Sequence, residues 1–240
     1  MVNNILYKIT LCCLLLLSAP AAFATGAFNG FIDLDRAGLK PFARDLGGLL
    51  GSGLNQTARP LGFSGFDIGV RAVSQVRPSP GNTALHRNRP FSLGFVQAEL
   101  GMPYRIDGFI RAGSYEGLAI AGGGLRYGLW NVSDQKNHVN AMLVLASSLA
   151  THKYFHAVHF NASVVCSVNR PVFSPYVGVG FDSTSLQAKT YTGTLGDKAK
   201  TVEMRYSAGV RAKLKLFYLA AGATYTHDRA LLNASTGLRF

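Results

Sequence analysis

Cysteine, charge and long apolar runs are all scarce in this chain, and each scarcity closes off a class of fold. The chain has 3 cysteines; Cys12 and Cys13 sit near the N-terminus, and Cys166 stands alone in the rest. No intramolecular disulfide framework can then supply stability, which has to come from packing or from a bilayer. Charged residues make up 15% of the sequence, low for a soluble domain. Beyond residue 24 no run approaches 18 apolar residues, so no membrane-spanning helix is available. A membrane protein without such helices has to be a closed β-barrel. Motifs of catalysis are missing as well. There is no H-E-x-x-H, no G-x-S-x-G, no phosphate loop and no paired cysteines, so neither an enzyme nor a cofactor is expected.

What the chain does have begins with "MVNNILYKITLCCLLLLSAPAAFA". One positive residue, Lys8, precedes an apolar run from Ile9 to Ala19 and a small-residue site at Ala22-Phe23-Ala24. This layout predicts a secretory signal peptide over 1–24. Its core is about half the 20 or so residues that a spanning helix needs. Cys12 and Cys13 lie too early for a lipidated N-terminus and leave with the signal. Without Lys8, 23 basic residues face 12 acidic ones, a net charge of +11. For an exported chain the counterpart of that charge is anionic lipid or lipopolysaccharide rather than nucleic acid.

The remainder alternates. In "TVEMRYSAGVRAKL", Val202, Met204, Tyr206, Ala208, Val210, Ala212 and Leu214 face one way. Glu203, Arg205, Ser207, Gly209, Arg211 and Lys213 face the other. Seven alternations exceed a globular strand of five or six residues and suit a tilted membrane strand of about ten. Similar stripes recur from Phe66 onward, with the stretch around Phe95 to Leu100 fitting least well. They predict an all-β, antiparallel, up-and-down transmembrane barrel of about 10 strands (10–12) over 63–240. Outer loops are expected at Arg77–Pro90, Ser114–Leu118, Thr151–His156, Ser183–Thr201 and His227–Arg229. Inner connections are expected at Met102–Arg105, Asn131–His138, Asn169–Ser174 and near Lys215. The two longest then fall on the outer face, the asymmetry of outer-membrane barrels.

The last strand, "LLNASTGLRF", alternates to its final residue, with Leu232, Leu238 and Phe240 on the apolar face. Here the chain resembles a bacterial outer-membrane β-barrel. The resemblance implies outer-membrane residence and recognition of that terminal pattern by the barrel-assembly machinery. More loosely, "GSGLNQTARPLGFSGFDIG", with "GGGLRYGL" and "SPYVGVGF", looks like a poorly characterised outer-membrane barrel family, which implies no reaction.

Residues 25–62 precede the barrel. In "DLDRAGLKPFARDLGGLLGSG" the residues Leu39, Phe42, Ala43, Leu46, Leu49 and Leu50 follow helical spacing, and Asp35 can cap the start. The short helix predicted there rests against the periplasmic rim or plugs the lumen, and partial insertion from the periplasmic mouth is expected. Inward glycines (Gly69, Gly124, Gly178, Gly180, Gly209, Gly222 and Gly237) leave it room. The inward charges are basic Arg71, Arg111, Arg126, Arg205, Arg211, Lys213 and Arg239, against acidic Asp67, Glu99, Asp107 and Glu203. Pairing each acid leaves three bases, enough to bias a narrow passage toward anions. His152, His156 and His159 surround one outer loop and could meet a metal or lipopolysaccharide; His227 and Asp228 adjoin as a possible acid–base pair. Three functions are therefore open: a structural or narrow-passage barrel, a surface-binding barrel acting through its outer loops, and an outer-membrane hydrolase.

Overall fold

The computed structural model describes residues 27–131, 135–189 and 195–240; the expected signal peptide lies outside them. Ten antiparallel strands close into one barrel. They are β1 (Phe66–Gln75), β2 (Phe91–Met102), β3 (Ile106–Tyr115), β4 (Leu118–Gly128) and β5 (Val139–Thr151), then β6 (Phe155–Val168), β7 (Phe173–Ala188), β8 (Lys198–Leu214), β9 (Phe217–Thr226) and β10 (Arg229–Arg239). Closure is by β1 against β10, from Asp67 opposite Arg239 to Gln75 opposite Leu231. Phe66 and Phe240 exchange backbone hydrogen bonds of 2.8 and 3.1 Å below that ladder. Every strand thus has a paired neighbour on both sides and the sheet has no open edge, as a bilayer interior demands. The expected strand count is met, and the fold is that of an outer-membrane β-barrel.

The lower part of the wall carries polar residues inward and apolar residues outward. On β8, Val202, Met204, Tyr206 and Val210 are exposed, while Arg205 and Arg211 are buried. Aromatic side chains mark both edges of this belt. Phe66, Tyr104, Tyr127, Trp130, Phe173, Phe217 and Phe240 are exposed at the end where β1 starts and β10 stops. Phe160, Phe181, Tyr206 and Tyr225 form the opposite edge. From Phe173 to Phe181 is about 26 Å along the strand at ~3.3 Å per residue. At a strand tilt of roughly 35–45° this spans about 20 Å of the membrane normal, a little under the apolar band of roughly 25 Å in such barrels.

Above the second girdle the pattern inverts. On β7, Ser185 faces out and Leu186 and Ala188 face in. On β8, Lys198 and Lys200 face out and Ala199 faces in. The same holds where Phe91, Leu93 and Phe95 of β2, Leu118 and Ile120 of β4, and Phe155 and Ala157 of β6 point inward. Here the wall is wetted outside and dry inside, like a soluble domain. The inversion corrects one expectation. Ser183–Thr201 is not a long loop, because β7 and β8 run on to Ala188 and Lys198. The loop-length asymmetry therefore rests on residues 76–90 alone, since the connection 129–138 at the other end is also long.

What the inverted zone encloses is the N-terminal segment. A short turn (Asn29–Phe31) leads into helix α1 (Arg36–Gly51), whose Asp35 cap accepts from Gly38 N at 2.8 Å. Phe28, Phe31, Leu39, Phe42, Leu46, Leu49 and Leu50 are all at most 1% exposed. Phe42 and Phe155 rings meet at 5.0 Å, and Phe28 meets Phe91 at 5.9 Å. The expected partial insertion from the periplasmic mouth is wrong in extent, because the segment that joins β1 at that mouth does not stop inside it. Ala27 N donates to Glu116 in the β3–β4 turn, at the outer end. From there α1 descends to mid-barrel, and residues 52–62 continue extended to the periplasmic end, where Leu61 N meets Asp107. The segment therefore runs the length of the lumen.

The inversion makes a depth-resolved prediction. Val210→Arg, on the belt, should cost about 2–4 kcal/mol of stability in lipid vesicles, whereas Ser185→Arg, outward but above the belt, should cost under about 1 kcal/mol. Urea unfolding of both variants checks this, and equal costs would move the membrane boundary.

Candidate functional site: the threaded lumen

A chain segment that is neither wholly helix nor strand brings unpaired carbonyls into the interior. The last turn of a helix leaves its C=O groups free, and the extended residues after it leave more. Five wall arginines meet this need. Arg205 Nη2 donates to Gly48 O at 2.9 Å, and Arg111 donates to Leu50 O and to Ser52 O. Arg71 Nη1 reaches Gly53 O at 2.7 Å and Arg126 Nη2 reaches Leu54 O at 2.7 Å. Arg239 Nη2 donates to Arg59 O and, at 2.8 Å, to Pro60 O. Two of these cations stand at the negative end of the α1 dipole, where a positive charge is favoured. Wall acceptors take up amides in turn: Ala58 N donates to Ser167 Oγ at 2.9 Å, and Leu61 N to both Asp107 oxygens.

Carboxylates hold the arginines in position. Glu99 accepts from Arg71 at 2.5 Å and from Arg126 at 2.7 Å, with Gln97 on the same oxygen as Arg71. Asp182 accepts from Arg205 Nε at 2.7 Å. Asp67 lies 3.5 Å from Arg211 and accepts from Tyr218 at 3.0 Å. Glu203 pairs not with the wall but with Arg44 of α1, at 2.6 Å. Lys213 lies lower, donating to Asn169 and to Arg170 O. The expected tally of acid–base pairs with three bases to spare is therefore corrected. One acid serves two arginines, one bonds to a backbone amide, and the bases beyond the carboxylates meet backbone carbonyls. Charge counting could not find this, because carbonyl oxygens carry no letter in a sequence. Asp182 was legible on the inward face of its strand but stands outside the expected charge set, because a loop was placed at the very next residue.

The inward glycines make room for the wall itself. A Cβ at Gly69 or Gly237 would lie 2.7 Å from Tyr218 Oη, and one at Gly209 2.5 Å from Tyr176 Oη. These rings lie over neighbouring-strand glycines, a known way to fill and register a barrel. The plug gains its closeness from a glycine of its own. A Cβ at Gly51 would stand 2.5 to 2.8 Å from Arg205, Asp182 and His159.

The histidines separate. His152 packs on Phe28 with rings 4.9 Å apart, His156 points outward, and His159 is buried inside. Among the described residues no group of three or more His, Cys, Asp or Glu gathers as for a metal. His159 does lie between Thr184 Oγ1 (2.9 Å) and Asp182 (3.4 Å), an order that resembles a hydrolytic relay. It is 1% exposed, beneath the end of α1 at Gly51. His227 and Asp228 do not pair either, because Asp228 accepts from Tyr225 Oη and His227 turns inward to Asp45.

Asp45 is the polar centre that sequence reasoning missed. It is fully buried at the level of the outer loops, on the otherwise apolar buried face of α1. It accepts from Gln75 Nε2 at 2.7 Å, Ser79 N at 2.9 Å, Ser79 Oγ at 2.6 Å and Asn82 Nδ2 at 2.6 Å, and stands 3.2 Å from His227. One carboxylate thereby ties the plug to loop 76–90 and to the β9–β10 turn. Its neutral partners, the last residue of β1 and two residues of the following loop, have no distinguishing spacing.

Solved structures similar to the chain are bacterial outer-membrane barrels. They include the N-terminal β-barrel domain of Pseudomonas aeruginosa OprF (11% identity, 75% of this chain and 99% of that one, TM-score 0.41). Ail, the attachment invasion locus protein of Yersinia pestis, aligns at 12% identity over 74% and 99% of the two chains, with TM-score 0.38. Neisserial surface protein A aligns at 12% over 73% and 97%, with TM-score 0.36. Likenesses this loose carry no functional argument, and the fold stands on its own strand pairing. No protein-family model and no curated protein matches the sequence.

Two predictions follow from the lumen and the latch. Glu99→Gln should destabilise the barrel by about 3–5 kcal/mol, because Arg71 and Arg126 then stay buried without their charge partner. Lys215→Gln, in an exposed turn, should change stability by under about 0.5 kcal/mol, and urea unfolding in vesicles compares the two. For Asp45, burial pushes the carboxyl up, but the bonds from His227, Ser79, Asn82 and Gln75 outweigh it and hold the group below the usual carboxylate range. A carboxylate depressed by folding adds stability above its unfolded pKa and loses it as pH falls through the folded one. The latch should therefore hold from neutral pH down to about 4 and open only below that. Amide exchange at Ser79, corrected for intrinsic rate, should stay protected to about pH 4 in the native chain. In Asp45→Asn the protection should already be reduced at neutral pH.

Proposed function

We propose that this protein is a sealed outer-membrane barrel with a structural and surface-presenting role, which neither conducts solutes nor catalyses a reaction. The observation that carries the proposal is the threaded segment. Seven of its carbonyls between Gly48 and Pro60 are bonded to wall arginines, and its apolar residues from Phe28 to Leu50 fill the outer end. A water path would have to break both sets of contacts. Excess positive charge, the reason to expect an anion-selective passage, is taken up by that same backbone. The polar groups with catalytic potential are buried against it as well. Lipid and lipopolysaccharide surround such a barrel, and Leu232, Leu238 and Phe240, on the outward face of the closing strand, are the residues through which the assembly machinery would recognise it.

A surface-binding role is the second reading. It is favoured by the stiffness of the outer end, where Asp45 fixes the longest loop and tight turns with positive φ at Glu116–Gly117 and His227–Asp228 close two hairpins.

Planar-bilayer recording on the intact protein, its fold checked by heat-modifiable gel migration, tests the sealed barrel. No steady single-channel current is expected at either polarity. A stable ohmic conductance would overturn the proposal.

A further inference from the structure

The loop between β1 and β2 contains three arginines and a histidine and no acid; none occurs between Asp67 and Glu99. Its fold turns this composition into a concavity. A cavity of about 630 Å³ at the outer end is lined by Val76, Arg77, Pro78, Ser79, Pro80, Arg87, Asn88, Pro90 and Arg229. That volume falls in the range of small-molecule sites, roughly 300–1,000 Å³. Three arginines line it from two separate parts of the chain, and among the described residues no carboxylate does. Asp228, the nearest acid in sequence to Arg229, is engaged by Tyr225. Arg229 Nε is buried with no hydrogen-bond partner, an unmet donor of a charged group.

The cavity is also held in shape before any ligand arrives. Ser79, one of its walls, gives both its amide and its hydroxyl to Asp45, and Asn82 adds a third bond from the same loop. Three prolines stiffen the remainder. Like charges gathered around one cavity repel one another, and among the described residues neither ion pairs nor backbone carbonyls compensate them as they do in the lumen. An anion supplies what is missing.

We propose that Arg77, Arg87 and Arg229 form a binding site for a phosphate-bearing saccharide. Guanidinium forks match phosphate oxygens bidentately. The cavity is larger than one phosphate needs, and Asn88 and Ser79 offer hydrogen-bonding groups to sugar hydroxyls. The phosphosugar could be the headgroup of an outer-leaflet glycolipid or a free sugar phosphate. The proposal rests on the outer-end loop: a barrel that conducts with α1 in place would leave it intact, whereas one that opens by moving α1 would release Ser79 from Asp45 and loosen the cavity.

The test uses full-length protein in detergent micelles, with binding measured calorimetrically at low and at physiological salt. The probes are bisphosphorylated lipid A, the same glycolipid after phosphatase treatment, and glucose 1-phosphate. Binding of the phosphorylated glycolipid is expected, weakening as salt rises, with loss of about tenfold or more in Arg77→Gln/Arg87→Gln, the size expected when charge-assisted hydrogen bonds go. Both arginines are exposed, so the variant should fold, and heat-modifiable migration confirms it. Arg105→Gln, at the opposite end, should bind like the parent. Saturable competition by glucose 1-phosphate assigns the site to free sugar phosphates; binding of the glycolipid alone assigns it to the headgroup. Equal binding by the double variant, or undiminished binding of the dephosphorylated glycolipid, would overturn the site.

Discussion

The structure depends on how a non-repetitive backbone is kept inside a barrel. Residues 52–62 belong to no helix or strand, yet most of them are buried. Buried carbonyls without partners cost about 1–3 kcal/mol each, which seven of them would make prohibitive. Side chains from the wall remove that cost, and arginine suits the task because it carries five donors on a long stem. The same guanidinium can bond a carbonyl on the plug and a carboxylate on the wall, as Arg71, Arg126 and Arg205 do. Glu99 and Asp182 are thus spacers that aim arginines, and the arginines are a substitute for a missing strand.

This arrangement explains the two zones of the wall. In the lower zone the plug is extended and presents backbone, so the wall that faces it must be polar. In the upper zone the plug is a helix, which satisfies its own backbone and presents apolar side chains, so the wall facing it must be apolar. Once above the bilayer, the outside of the wall has water to meet and turns polar. The inversion seen along β7 and β8 therefore has two causes, the span of α1 on the inner face and the edge of the bilayer on the outer one.

The legibility of the sequence follows the same division. Strands in the lower zone could be read because lipid on one side and charge on the other give a clean period of two. The expected inward face, from Asp67 to Arg239, was assigned from that period alone. The upper halves of β7 and β8 were misjudged because their faces exchange character, so Ser183–Thr201 read as a loop; on β2, whose Phe91, Leu93 and Phe95 point inward, the stretch around Phe95 to Leu100 fitted least well. Helix α1 was legible from Asp35 and its apolar spacing; its placement was not, because its own acids and bases balance and give no direction of entry. The Asp45 latch was invisible for a different reason. Its partners Gln75, Ser79, Asn82 and His227 are scattered over more than 150 positions of chain, and only the closed topology brings them to one carboxylate.

Asp45 also decides how the functional readings relate. It bonds the helix that fills the lumen to Ser79, a wall of the arginine-lined cavity outside. A barrel that opened by moving α1 would pull that bond apart and loosen the cavity. A barrel that relied on a braced outer surface would need α1 to stay. Conduction through the lumen and recognition at the outer end therefore place opposite demands on the same carboxylate. The surrounding bonds favour the second: they include two from one serine, and burial makes each costly to leave unmade. The plug is in this respect the foundation of the outer surface, and the charge that holds it there is the one polar group its buried helical face retains.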